Sequence, residues 1–408
     1  MWLPLTLDKT RYHDLDALRS CAMLLGIIIH GLLSFMPIPL PMVPQDINQN
    51  PEIYGYIFNF IHGFRMQLFF LISGFFTAML WRKQGLRSLL KHRAKRILFP
   101  LIIFAPMTGI LMIAVMLNYA EFPVSGVAVD KFSELTSHPF GFLIVGIVFP
   151  VTGHLWFLYY LIWLILGFVA VVKLNEKLKV LPISTTVTHN PWLWLIPITF
   201  FAQLLNGLGG IGMGVNVIGP DTFGGLIPWP PQLIYYGVFF GFGALCYRGG
   251  GLGQINFFRW QTCFIFSIPA LLLAMHWIVL RNASFKAGWD GNQLEIIWYH
   301  FLTNLFQVFY VWLMIFGFIN FFKVFFSEEN KRVRYLSDAS YWIYIMHMPL
   351  IVILQFWVSK WPYPSIVKFL FICFLAVGFL LVIYEYAIRY TWVGTMLNGK
   401  RVREPSEA

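Results

Sequence analysis

Ten runs of mostly apolar residues, most of them close to the ~20 that an α-helix needs to cross hydrocarbon, divide this 408-residue chain. They are Leu18 to Met36, Ile57 to Leu80, Ile97 to Leu117, Leu155 to Val172, Trp192 to Leu205, Leu233 to Tyr247, Cys263 to Leu280, Ile297 to Phe322, Tyr341 to Val358 and Ile366 to Ile388, the fifth and sixth being short. A water-soluble body could not hide so much apolar surface: 58% of the residues are hydrophobic and 12% charged, against roughly 45–50% and about 25% in ordinary domains. The expected fold is all-α, a polytopic integral membrane protein of about ten transmembrane helices whose solvent and first partner is the lipid bilayer.

The charges set the expected direction. With the N-terminus inside, 23 of the 29 basic residues fall in inner segments, 5 in outer segments, and Arg65 is left within a helix. Positive residues collect on the cytoplasmic side, so both termini are expected there: residues 1–17 as a short leading segment and 389–408 as a tail. The net charge of +11 then reports loops facing anionic lipid, and nucleic acid is not an expected partner. The first apolar run follows mixed polar residues with no small-residue cleavage site, so the first helix is expected to stay. No internal repeat or long linker is visible, and 1–408 reads as one domain. Cys21, Cys246, Cys263 and Cys373 are too scattered for a disulfide framework or a metal motif and read as packing residues. Gly207, Gly209 and Gly212 match GxGxxG, but no βαβ pattern surrounds them, and they read as loop glycines. The outer segments Pro37 to Tyr56, Asn118 to His154 and Asn206 to Gln232 are rich in Pro, Gly and aromatics. Loops over an outward cavity and plain connectors both fit them.

Polar residues at membrane depth are costly and usually mark function. On the first helix Arg19 and His30 are eleven residues apart, nearly three turns, and so share a face with Asp16 and Gly26. His30 would lie roughly 16 Å above Arg19 at 1.5 Å per residue; a general base and a helix-packing histidine both fit it. The second helix reads HGFRMQLFFLISGFF, with His62 and Arg65 three apart and Gln67 following. Arg65 reads as lining a polar cavity, the other reading being a snorkelling anchor. The loop WRKQGLRSLLKHRAKR holds seven basic residues, with Arg93 and Arg96 on one face. It reads as a topology determinant or as a phosphate-binding cluster facing Arg19. Ser340, Tyr344 and His347 share a face of the ninth helix; Glu385 precedes Arg389 by four residues, as an ion pair would. His154 and His300 lie nearer the outer edge, where the aromatic belt explains His154 better than a ligand role at the rim does.

Taken in order, Arg19-x10-His30, FRMQLFFLISGFF, the Arg93-x-x-Arg96 pair, HLWFL at the fourth run and SYWIYIMHMPL at the ninth resemble acyltransferase family 3, a family of polytopic membrane acyltransferases. The match runs over essentially the whole chain. LDALR, HGFRMQLFFLISGFF and YEYAIR resemble the branch that succinylates osmoregulated periplasmic glucans, and no appended hydrolase-like domain is present in the sequence.

The resemblance implies a bacterial inner-membrane enzyme that moves an acyl group, succinyl favoured and acetyl admitted, from cytosolic acyl-CoA to hydroxyls of an extracytoplasmic glycan. Acyl-CoA is then a co-substrate, with no permanently bound cofactor and no metal. His30 and Arg65 are the expected catalytic residues, His30 as general base and Arg65 as ligand of the oxyanion or of a succinyl carboxylate. Arg19, Arg93 and Arg96 would hold CoA phosphates and Asp16 would hold Arg19, with His62, His347 and Glu385 also on the substrate path. Direct transfer and an acyl-enzyme on His30 or His347 both remain open. An O-acetyltransferase of another surface polysaccharide or lipid, a transporter or flippase with an intramembrane His/Arg path, and a structural scaffold are the competing readings.

Overall fold

In the computed structural model the described residues are 12–37, 43–119, 152–178, 191–207, 217–220, 225, 227–248, 252, 258–286 and 293–402. Among them the regular structure is entirely helical, as expected. The helices are α1 His13–Leu32, α2 Pro51–Arg93, α3 Phe99–Tyr119, α4 Trp156–Leu178, α5 Trp192–Gly207, α6 Pro230–Arg248, α7 Trp260–Lys286, α8 Gln293–Phe325, α9 Lys331–Val358, α10 Ser365–Ile383 and a short α11 Trp392–Asn398. Each of the ten apolar runs forms the body of one helix, α1 to α10. Seven helical stretches among the described residues are long and apolar enough to cross a membrane; one of them, Pro51–Val115, contains the second run and most of the third. α5 and α6 fall outside that set, α5 for its length.

Local chemistry sets the helix ends. Asn50 caps α2 by accepting the Ile53 N–H, with Pro51 at the first helical position, where no N–H is needed. Asn330 caps α9 in the same way, accepting from Arg332 and Val333. α2 bends at Gly85, whose φ of +79° suits a residue without Cβ. The bend leaves a basic stub that enters a π-helical turn, Ala94–Leu98, closed by the Phe99 N–H on the Ala94 carbonyl. A second π turn, Tyr384–Ile388, follows α10.

α1 lies inside the bundle, packed against α2, α8, α9 and α10. That position matches a sequence apolar around most of its circumference: Leu15, Leu18, Ala22, Ile27, Ile29 and Leu32 are all buried. α2 and α6 approach backbone to backbone. A Cβ on Gly74 would collide with the Phe240 carbonyl, and one on Gly243 with the Leu71 carbonyl, the small-residue contact that replaces hydrophobic drive within lipid. At the end opposite the basic stub, Lys368 and Asp46 form an ion pair of 2.6 Å with both side chains fully buried. Lys368 also donates to the Trp361 carbonyl at 3.0 Å, so the segment after α1 is tied to the α9–α10 turn. Breaking one partner of such a pair typically costs about 3–5 kcal/mol. Sequence reasoning counted Lys368 only among the five outer-segment charges, because its acidic partner is 322 residues away.

Candidate functional site

The basic end opens into a cavity of about 290 Å³ between α1, α2, α4, α9 and the turn after α2. Arg19, His92, Arg93 and Arg96 line its mouth, with Tyr341 and Asn398, and Met23, Phe69 and Phe157 lie deeper. Arg93 donates from Nη2 to Thr77 at 3.1 Å, and its Nε is buried without a partner. Tyr341 donates to the Arg96 carbonyl at 2.6 Å, fixing the π turn to α9. Asp16 lies 3.5 Å from Arg19. Arg401 pairs with Asp338 at 2.7 Å, and Asn398 donates to the Asp338 carbonyl, which holds the segment after α11 against this mouth. The three expected arginines are therefore gathered at one opening.

Met23 and Phe69 mark the deep end, and each is one turn from the next polar level. Gly26 is three residues beyond Met23, and Arg65 four before Phe69. These meet: the Arg65 guanidinium lies against Gly26 so closely that a Cβ there would strike Nη1. Arg65 is 9% exposed, its Nε has no partner, and among the described residues it has no carboxylate partner. Its head thus lies in the interior, one turn from His30.

Around His30 the structure collects a set of imidazoles. The rings of His30 and His347 are 5.1 Å apart and those of His347 and His154 5.2 Å. His30 is within electrostatic reach of Arg65 and His62 as well. Three of the rings are fixed by backbone carbonyls: His62 Nδ1 to Ile218 at 2.6 Å, His154 Nε2 to Ile345 at 2.9 Å, and His347 Nδ1 to Tyr344 at 2.7 Å. His30 Nδ1 is buried with no partner, in a residue that is half-buried as a whole. Its backbone carbonyl accepts from Gln355, a fully buried α9 residue, at 2.8 Å.

A helix carbonyl has two lone pairs and can take a second donor, and Pro349 leaves one such carbonyl without its ladder bond altogether. Proline has no N–H, so the Ile345 carbonyl four residues earlier loses its helical donor, and His154 takes it. Tyr344 completes the clamp by donating to the His154 carbonyl at 3.0 Å. Gly153, with φ of +48°, starts the 3₁₀ turn that delivers His154 to α9.

Two expected site residues lie apart from this cluster or serve it indirectly. Glu385 bonds Arg389 at 2.8 Å and Tyr390 at 3.2 Å at the far end of α10, the ion pair its spacing suggested. His62 stacks on Phe58 and holds the buried Ile218–Gly219 segment against α2, with Asn59 accepting the Ile218 N–H at 2.7 Å. His300 pairs with Asn304 on α8. Sequence reasoning missed His92, Tyr341 and Gln355, and gave His154 to the aromatic belt. Pro349 two residues after His347 was the available signal for His154.

The described residues thus form a helical bundle with a basic cavity at one end, and comparison with known proteins assigns the class. The Acyltransferase domain that defines acyltransferase family 3 matches residues 12–385, and the chain belongs to that family. Its relatives include Glucans biosynthesis protein C of Escherichia coli strain SMS-3-5 / SECEC, 25% identical over 410 residues that cover 96% of this chain and 95% of the relative. The protein of the same name from Escherichia coli O157:H7 is 24% identical over 403 residues with the same coverage. No solved structure matches the chain.

Proposed function

We propose that this chain is an O-acyltransferase that spans the bacterial inner membrane ten times with both termini in the cytoplasm. It moves an acyl group, succinyl in preference to acetyl, from cytosolic acyl-CoA to a hydroxyl of an extracytoplasmic glycan such as an osmoregulated periplasmic glucan. The observation that carries the reading is the line from three arginines at the cavity mouth, past Met23 and Phe69, to Arg65 and then to His30. The name shared by the relatives supports the glucan as acceptor.

In this mechanism Arg19, Arg93 and Arg96 hold the CoA phosphates through charge-assisted hydrogen bonds, with Asp16 orienting Arg19. The Phe69–Phe157 ring pair, 5.1 Å between centroids, narrows the deep end, and the slender pantetheine arm passes beside it. His30 removes the hydroxyl proton as the hydroxyl oxygen bonds the thioester carbonyl carbon. The C–S bond then breaks, and the departing CoA sulfur takes that proton from His30. Arg65, one turn nearer the donor, binds the oxyanion or the distal carboxylate of a succinyl group. His62, with Nδ1 committed to Ile218, keeps its other nitrogen for the acceptor.

The test is acyl transfer by purified protein with succinyl-CoA and acetyl-CoA side by side. His30→Ala should cost on the order of 10²–10⁴-fold, the usual worth of a general base, in a protein that remains folded. Arg93→Gln with Arg96→Gln should raise the donor KM, and Arg65→Gln should depress succinyl transfer more than acetyl transfer. Near-normal transfer by folded His30→Ala overturns the base. Equal loss with both donors in Arg65→Gln reassigns Arg65 to the oxyanion.

A further inference from the structure

Two buried nitrogens on neighbouring rings have no partner: His30 Nδ1 and His347 Nε2. An orphaned polar atom in a protein interior is costly, and two on adjacent rings point to a bond between them. The chemistry of their neighbours fixes which is donor and which acceptor. The Tyr344 carbonyl that His347 Nδ1 meets at 2.7 Å can only accept, so in the neutral ring the proton is on Nδ1 and Nε2 carries the lone pair. His154 cannot fill that lone pair, because the one N–H of its neutral ring goes to the Ile345 carbonyl. Two imidazoles joined edge to edge by an N–H···N bond of about 3 Å have centroids roughly 5 Å apart, and those of His30 and His347 are 5.1 Å apart with planes at 50°. Rotation of the His30 ring about its Cβ–Cγ bond is the movement that would bring Nδ1 to that lone pair.

We propose that His347 is a positioning residue for His30: its Nε2 accepts the His30 Nδ1–H and so fixes the His30 tautomer, leaving Nε2 of His30 as the lone pair that meets the substrate hydroxyl. The inference rests on the general-base reading of His30 and adds which nitrogen acts and what holds it. Proton accounting closes. The hydroxyl proton arrives on His30 Nε2, the imidazolium keeps donating from Nδ1 to His347, and the Nε2 proton leaves with the CoA sulfur. His347 itself never changes protonation state, and it forms no acyl-enzyme. Its own orientation comes from α9, where Tyr344 serves both His347, through its carbonyl, and His154, through its hydroxyl.

The experiment combines kinetics with ring ¹⁵N spectra of histidine-labelled full-length protein in nanodiscs, assigned through His30→Ala and His347→Leu. The wild type is expected to show His30 protonated at Nδ1 and His347 with an unprotonated Nε2. In His347→Leu the His30 signals should move to a tautomer mixture, and kcat should fall about 10–100-fold at an unchanged donor KM. His347→Gln, whose amide oxygen can accept the same N–H, should recover much of the loss. Should His347→Leu not fold, the Gln variant and the wild-type spectra carry the test. The proposal is overturned if wild-type His30 carries its proton on Nε2, if its signals are identical with and without His347, or if Arg65 proves to be the donor to His347. Active His30→Ala protein would defeat the general-base reading instead, a result separate from all of these.

Discussion

Gly26 shows how closely the site is built at single residues. It lies one turn before His30 on the same face of α1, and the absence of a side chain there is what admits the Arg65 guanidinium. A methyl group would meet only the flexible tip of Arg65, so the helix loses nothing by accepting alanine and gains about 1 kcal/mol of propensity. The Arg65 head would be displaced. Gly26→Ala is therefore expected to keep or raise the melting temperature while lowering acyl transfer on the order of tenfold or more, a sign opposition that a general packing defect does not produce. Parallel thermal and transfer measurements check it, and full activity in the variant would show that Arg65 acts from elsewhere. The spacing rules of a helix made Arg19, Gly26 and His30 legible as one stripe, and Arg65 as an interior cation. The fit of Arg65 onto Gly26 was not legible, because it depends on the relative rotation of two helices, which one-dimensional periodicity does not encode.

Among the elements, α9 carries the most information per residue. Its proline frees a carbonyl, His154 arrives from the start of α4 to take it, and Gln355 two turns past His347 grips the α1 backbone at His30 and Gly31. α9 thereby sets the distance between α1 and the imidazole cluster. Replacing Pro349 with alanine returns an N–H to the Ile345 carbonyl and removes a helix-interior cost of about 3 kcal/mol. Pro349→Ala should consequently leave the protein at least as resistant to heat. The restored N–H should also compete with His154 for that carbonyl, loosen the clamp, shift Gln355 relative to α1, and reduce transfer several-fold; undiminished transfer would mean that the clamp is dispensable. All ten apolar runs were legible as helices because burial in lipid imposes one long pattern on each. The ends were less so: the π turns at Ala94–Leu98 and Tyr384–Ile388 extend runs whose local sequence differs little from ordinary helix. The Asp46–Lys368 pair, which joins the segment after α1 to the first turn of α10 across 322 residues, left no local pattern.

Across the whole molecule the site is asymmetric, and the asymmetry bears on direction. α1 starts at His13 and ends at Leu32, so His30 sits in its last turn, while Arg19 is near the first. An acyl group held by its carrier at the arginines must travel roughly 16 Å along α1 to reach His30, at 1.5 Å per residue. An acceptor arriving from the opposite end needs to enter by little more than a turn. A large hydrated glycan that cannot penetrate a bilayer is thus compatible with the short side, and a thin thioester arm with the long one. The basic residues collect at the arginine end, as a cytoplasmic face requires. These features together lead to a vectorial prediction. In proteoliposomes sorted for one orientation by impermeant labelling of Lys177→Cys or Lys360→Cys, acyl-CoA should support transfer only when supplied on the Arg93–Arg96 side. The glucan must then be on the other side. Because the native cysteines are buried or half-buried in the bundle, the introduced thiols should dominate the labelling. Supplying donor and glucan together on either single side should give no product. Product from a one-sided mixture would mean that both substrates enter by the same opening, and the division of the bundle into a donor side and an acceptor side would have to be abandoned.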